Sequence, residues 1–399
     1  DAEPEEPAGI TTEDAPGSQP PAADTGRPDV THSEADDLYR ELVDGSFAAG
    51  EYLLALIEAG DVEGRSSEVL EVRRHQAKIR RGDPDALARL EEAARADHNE
   101  PYARAVHHVR HAFDEQEPAQ PAPPLSDLTP QPELTTRLLF SSLATGVNEA
   151  LAIVMNAKVL RRPMDHYGLS GADRVSLSAS SPIGRVFAAL SGLLEAQGTR
   201  LFHPTRTGPL RSRTALLTPT SIIVEGKAVQ DTPRLRYVLG NALAAAMPPF
   251  ALVDGLSRDE LELALTALLA GFGPVGAAGQ TSPEQMRMAE DLWHVVSPAE
   301  ERRLREICAE PDALGYDLAH DRARRACRRA GLFASGHLPT AIRQAVAELE
   351  LDVRARLDDE GALAELCDHP AIADLVDLAI LPEYAEIRWH HQPQSLLRR

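Results

Sequence analysis

His107-His108-Val109-Arg110-His111 is the densest group of metal-competent side chains in the chain. On a helix, His107 and His111 stand one turn apart on one face, a spacing that lets two imidazoles share a zinc ion. No carboxylate lies between them and His98 is the other nearby imidazole, so surface histidines in a His-rich chain are the expected reading. A second polar group gathers Asp165, His166, Asp173 and Arg174 in one stretch, with His203 further on. Converging, His166, His203 and carboxylates such as Asp165 would suit hydrolysis, although nothing in their spacing requires them to meet. Ser180, Ser181 and Ser191 lack the strand-turn-helix Gly-x-Ser-x-Gly setting of a serine nucleophile. Gly271, Gly273 and Gly276 have the composition of a dinucleotide loop, but they follow a helical pattern and enclose Pro274, so a helix stop is expected. Cys327 sits among Arg324, Arg325, Arg328 and Arg329, an environment that lowers a thiol pKa. Without a base beside it, a packed cysteine on a basic helix is the expected reading, and the arginines suit an acidic partner.

The longest run of pattern lies downstream. Two short apolar runs, Arg213 to Leu217 and Ser221 to Val224, precede Asp231-Thr232-Pro233 and then Leu239-Gly240-Asn241-Ala242-Leu243-Ala244-Ala245. Further on come Arg324-Arg325-Ala326-Cys327-Arg328-Arg329-Ala330-Gly331-Leu332-Phe333 and Ser335-Gly336. This order resembles the core of the HExxH zinc metallopeptidases of the heat-shock and prenyl-protein-processing type. There a strand pair leads into a Leu-Gly-His-Glu-x-x-His helix, and a later Glu-x-x-Ala-Asp-Arg-Ala-Gly-Leu helix supplies the third ligand. Two histidines four apart grip the metal while the glutamate polarises its water. Matched residue by residue, the first histidine falls on Asn241, the base on Ala242, the second histidine on Ala245 and the third ligand on Arg324. An alanine offers no donor and an arginine opposes a dication, so the resemblance implies a vestigial site with neither metal nor catalysis. The C-terminal half is also similar to a domain appended to helical-repeat proteins of soil bacteria.

Elements that position these residues are legible from apolar periodicity. Leu38, Leu42, Phe47, Tyr52, Leu53, Leu56 and Ile57 recur at helical spacing, with Ser33 and Asp36 as a start signal. Helices follow to about Phe113, broken at Gly60 to Gly64, at Gly82-Asp83-Pro84 and at Asn99-Glu100-Pro101, where Asp83 caps a helix that opens with Pro84. The unit length resembles the roughly 34-residue tetratricopeptide repeat, without its Trp, Gly and Tyr landmarks in register. A long helix is expected from Glu133 to about Leu160, a second from Ile183 to Glu195, and one β-hairpin with a three-residue turn at Thr218 to Thr220. Three later starts have capping-box form: Ser257 with Glu260, Ser282 with Gln285 and Ser297 with Glu300. Helices are then expected over Ala319 to Phe333, Pro339 to Leu357, Ala362 to Cys367, Ala371 to Ala379 and Glu383 to His390.

The fold expected is mainly α: a helical-hairpin repeat region followed by a helical domain with one small β-hairpin. The boundaries are an acidic, Pro-rich disordered segment at 1–33, repeats at 34–116, a Pro-rich spacer at 117–132, the peptidase-like domain at 133–391 and a frayed tail at 392–399. Residues 1–33 hold eight acidic side chains, one basic and six prolines, too little apolar surface to offset ordering entropy. Since residue 1 is Asp, that segment is expected to link to an upstream part. The formal charge of −21 and the lack of a basic stripe argue against nucleic acid. The most apolar stretch, Leu263 to Gly279, is broken by Gly271, Gly273 and Pro274, so no membrane span is expected. Cys308, Cys327 and Cys367 are odd in number and widely spaced, as suits a reducing, cytoplasmic setting. The function expected is a non-catalytic protein-interaction or scaffolding module with protein partners and no cofactor. The alternatives are a hydrolase or metallopeptidase with rearranged ligands, and a regulatory domain of a larger protein.

Overall fold

The structure, a computed structural model, describes residues 32–59, 66–114, 122–176, 181–204, 208–351 and 362–390. Residues 1–31 of the acidic segment, the break at Gly60 to Gly64, residues 117–121 of the Pro-rich spacer, Ser180 and the tail 392–399 lie outside the described residues, while His32 and Ser33 already belong to the first helix. Among the described residues the chain is mainly helical with a single small sheet. The first five helices are α1 (His32–Val43), α2 (Phe47–Ala59), α3 (Ser66–Ile79), α4 (Pro84–Ala96) and α5 (Glu100–Arg110), each packed on the next. Asp83 accepts from the backbone N–H groups of Asp85 and Ala86 at the start of α4, and Asn99 from Tyr102 at the start of α5.

Between Glu133 and Leu160 there are two helices rather than the expected one, α6 (Pro132–Phe140) and α7 (Val147–Ala157). Gly146 at φ 57° takes a left-handed turn between them, a conformation a continuous apolar stripe does not reveal. After α8 (Pro182–Leu193) come β1 (Arg200–Phe202), β2 (Arg211–Ala215) and β3 (Ser221–Glu225). The hairpin is present, but its loop holds five residues instead of three, and β1 adds a parallel partner, giving the order β1-β3-β2. β3 is buried along its whole length because both faces are covered. Ile222 and Val224 enter the main core, while Ile223 packs with Tyr167, Leu169, Phe202, Ala215 and Leu217 beneath the other face.

The remaining helices are α9 (Pro233–Ala245), α10 (Pro248–Gly255), α11 (Arg258–Phe272), α12 (Pro283–Val295), α13 (Pro298–Cys308), α14 (Tyr316–Ser335), α15 (Leu338–Glu348), α16 (Ala362–Leu366), α17 (Pro370–Ala379) and α18 (Pro382–Trp389). All three capping boxes form, with Pro283 and Pro298 in the first turn of their helices. No single described helix is long and apolar enough to cross a membrane; the bent pair α9 and α10, turned by 104°, passes that test only together, and most of its residues are buried.

α9 and α14 cross closely at two glycines. A Cβ at Gly240 would meet the carbonyl oxygen of Ala330 at 2.6 Å, and one at Gly331 the Tyr237 ring at 2.7 Å. One hydrophobic core runs from Leu70 through α4, α5 and the helices to Trp389. A smaller cluster of Leu42, Ala49, Leu53 and Val72 joins α1, α2 and α3. The described part of the Pro-rich spacer lies against this core: Ala122 N–H donates to Gly336 O at 3.1 Å, and Leu125 and Leu128 are buried. Arg388, fully buried, donates to Pro123 O and to Phe333 O, so one guanidinium ties the spacer to the end of α14. Burial pushes its pKa down to about 10.

Candidate functional site

The four peptidase-like positions lie on α9 and α14. Ala242 and Ala245 are each 2% exposed and belong to the main core, so the side of α9 they occupy is packed. Asn241 is half-buried beside Tyr237, whose buried hydroxyl is held well above its usual range by desolvation. Arg324 is engaged by carboxylates: its Nη1 lies 3.2 Å from Asp254 Oδ1, and its Nε lies 3.8 Å from Glu348 Oε1. Burial opposes its charge, yet Asp254 and Glu348 hold its pKa above the ordinary arginine value. Asp254 also accepts from the Thr214 N–H, joining α10 to β2 at this point. The carboxylate that recognises Arg324 was not foreseen; its signal was an aspartate inside the apolar run Phe250-Ala251-Leu252-Val253-Asp254.

The arginine cluster on α14 borders a cavity of about 670 Å³ that also takes in Arg81, His320 and the start of α17. Each arginine of the cluster has an internal carboxylate. Arg325 and Arg329 converge on Asp374, at 2.7 and 2.6 Å to Oδ1, and Arg328 donates twice to Glu348 at 3.1 and 3.2 Å. Although burial of Asp374 works the other way, those two guanidiniums hold its carboxyl below the usual range. Cys327 is buried, and desolvation pushes its thiol far up, against the lowering that the surrounding arginines alone would give. Arg324 and Arg328 do act to lower it, but the cost of a buried anion is larger.

The loop set does not assemble into a donor cluster. Asp165 and His166 are exposed, His166 Nε2 accepting from Arg162 at 2.9 Å, while His203 Nδ1 donates to Val224 O at 2.8 Å. Ser181 caps α8 through the Gly184 N–H, and Ser191 is buried on that helix. Among the described residues, the histidine, cysteine and carboxylate side chains able to hold a metal as a set of three are Glu91, His107 and His111, whose donor atoms all lie within 4.8 Å of one another.

His107 and His111 are one turn apart, with ring centroids separated by 4.3 Å. Their neighbourhood differs from the expected surface setting. His108 and His111 are 4% and 8% exposed, and the carboxylate missing from the local sequence comes from the adjacent helix α4. Glu91 is 1% exposed, with its Oε1 3.0 Å from His107 Nδ1 and its Oε2 3.3 Å from Arg110; Arg95 pairs with it as well. Asp114 lies 3.0 Å from His111 Nδ1. His108 faces away, accepting from the Leu338 N–H at 3.0 Å. Glu91 had a signal of its own: a carboxylate within the stripe Ala86, Leu87, Leu90, Ala94.

No family model, curated protein or solved structure matches the chain.

Proposed function

We propose that this chain is a non-catalytic protein-interaction or scaffolding module whose peptidase-like segment is vestigial. The observation that carries the reading is the burial of Ala242 and Ala245, at 2% exposure each, where the family has its base and second zinc ligand. Arg324, at the third-ligand position, is neutralised by Asp254 and Glu348 instead of offering a donor. Supporting the binding role, α1, α2 and α3 enclose a groove of about 270 Å³ whose floor is Ala35, Leu53, Ile57 and Val72. Asp36, Glu68 and Glu71 also line it, and Tyr39, 39% exposed, flanks it. An apolar floor beside carboxylates suits an apolar side chain carried on a basic stretch of a protein partner.

The competing reading is a metallopeptidase with rearranged ligands. The Glu91, His107 and His111 cluster is the observation in its favour, and it stands on α4 and α5 rather than on the peptidase-like pair. The deciding experiment incubates the full chain with casein, with and without added zinc, before and after chelation. No chelator-sensitive cleavage is the expected result, and stoichiometric bound zinc with chelator-sensitive cleavage overturns the reading. In the positive arm, a partner captured by the intact chain is lost on Tyr39→Asp.

A further inference from the structure

We propose that Glu91, His107 and His111 form a binding site for a divalent metal ion of the zinc class, tying the middle of α4 to the last turn of α5. One carboxylate and two imidazoles are an established zinc ligand set, leaving a fourth position for water. Ligands on tetrahedral zinc, at about 2.0–2.1 Å from the ion, stand roughly 3.3 Å from one another. His107 Nδ1 and Glu91 Oε1 are already 3.0 Å apart, and all three donors fall within 4.8 Å, so small side-chain adjustments close the shell. The ion takes the place of the proton between His107 Nδ1 and Glu91 Oε1, His107 then ligating as the neutral tautomer with its proton on Nε2.

Three further features favour a cation here. Asp114, 3.0 Å from His111 Nδ1, is placed as the carboxylate that orients a ligating imidazole so that Nε2 coordinates. Both histidines stand at the C-terminal end of α5, where the helix dipole favours positive charge. The Glu91 side chain is 2% exposed, so its attraction for the ion is weakly screened. Arg95 and Arg110 compete for the same carboxylate, but their side chains are 60% and 38% exposed and can turn outward without burying a lone charge. Relieving that competition should tighten metal binding.

The test uses the full, untagged chain. Cobalt(II) is titrated first as a spectroscopic probe, then zinc against a chromophoric chelator. Expected are one equivalent of cobalt with the intense visible bands of a low-coordinate nitrogen and oxygen site, and displacement of cobalt by zinc. His111→Ala and Glu91→Gln should weaken zinc binding at least tenfold, Arg110→Gln should strengthen it, and His166→Ala should leave it unchanged. Since Glu91 and His111 are buried, the wild-type cobalt spectrum decides the matter even if those variants fail to fold. Only the weak bands of hydrated cobalt, a sulfur-to-cobalt band, or zinc binding equally sensitive to His166→Ala overturns the proposal. Because cleavage is not the readout, its failure leaves the non-catalytic reading separately testable.

Discussion

Arg324, which the proposed peptidase resemblance aligns with an anionic metal ligand, is met by two carboxylates, Asp254 and Glu348. A glutamate there would therefore place three carboxylates together rather than give the two-histidine, one-glutamate set of those peptidases. The cysteines show a related dominance of burial over local charge. Burial pushes Cys308 up to about 11 and Cys367 up to about 12, and it raises Cys327 further despite the surrounding arginines. Each thiol stays protonated in the folded chain at pH values where the unfolded thiol, with a reference near 9, has begun to ionise. The folded state then binds more protons, so this stability is fully present below pH 9 and is lost as pH rises through about 11. The expected outcome is a urea midpoint that falls between pH 8 and pH 10, with all three cysteines slow to label in the folded chain at pH 8. Rapid labelling of Cys327 at pH 8 would show that the arginines, not burial, set its chemistry.

At the level of elements, the crossing of α9 and α14 depends on two absent side chains. Gly→Ala within a helix normally stabilises by about 1 kcal/mol through propensity. At Gly240 the added methyl would press on the backbone of Ala330, and at Gly331 on the Tyr237 ring, so the helices must part or shift. Overpacking of this kind costs about 1–3 kcal/mol, so Gly240→Ala should lower the unfolding free energy instead of raising it. Gly331→Ala should cost less, because a ring yields more readily than a backbone carbonyl. Unfolding in urea measures both, and a stabilised Gly240→Ala would contradict the close crossing. The helices were readable because caps and apolar stripes are local: Asp83, Ser257, Ser282 and Ser297 each begin a helix as their types predict. The break at Gly146 and the strand β1 were not, since a left-handed turn leaves the apolar count unchanged and a three-residue strand draws its partners from β3, 21 residues away. Glu91 joins two histidines for the same reason: its relation to them exists only once α4 packs on α5.

Across the whole molecule, one core extends over the Pro-rich spacer instead of ending there. Tyr102 on α5 donates to the carbonyl of Ile380 at 2.9 Å, and the α5 residue His108 accepts from Leu338. Arg388 adds a third tie through Pro123, although burying a guanidinium costs several kcal/mol that its hydrogen bonds must offset. Proline count alone marked a spacer, while the polar ties that dock its described part come from residues more than two hundred positions away. α9 lies inside this core, and on that placement the non-catalytic reading rests. Ala242→Glu places a carboxylate where the proposed resemblance aligns the peptidase base, so its unfolding free energy is the most direct test of that placement. The account predicts a loss of about 3–5 kcal/mol, because an unpaired carboxylate would be forced among aliphatic side chains. A variant as stable as the parent, with the new carboxylate ionised at its ordinary pKa, would mean that this side of α9 opens onto a cleft and would contradict the central claim.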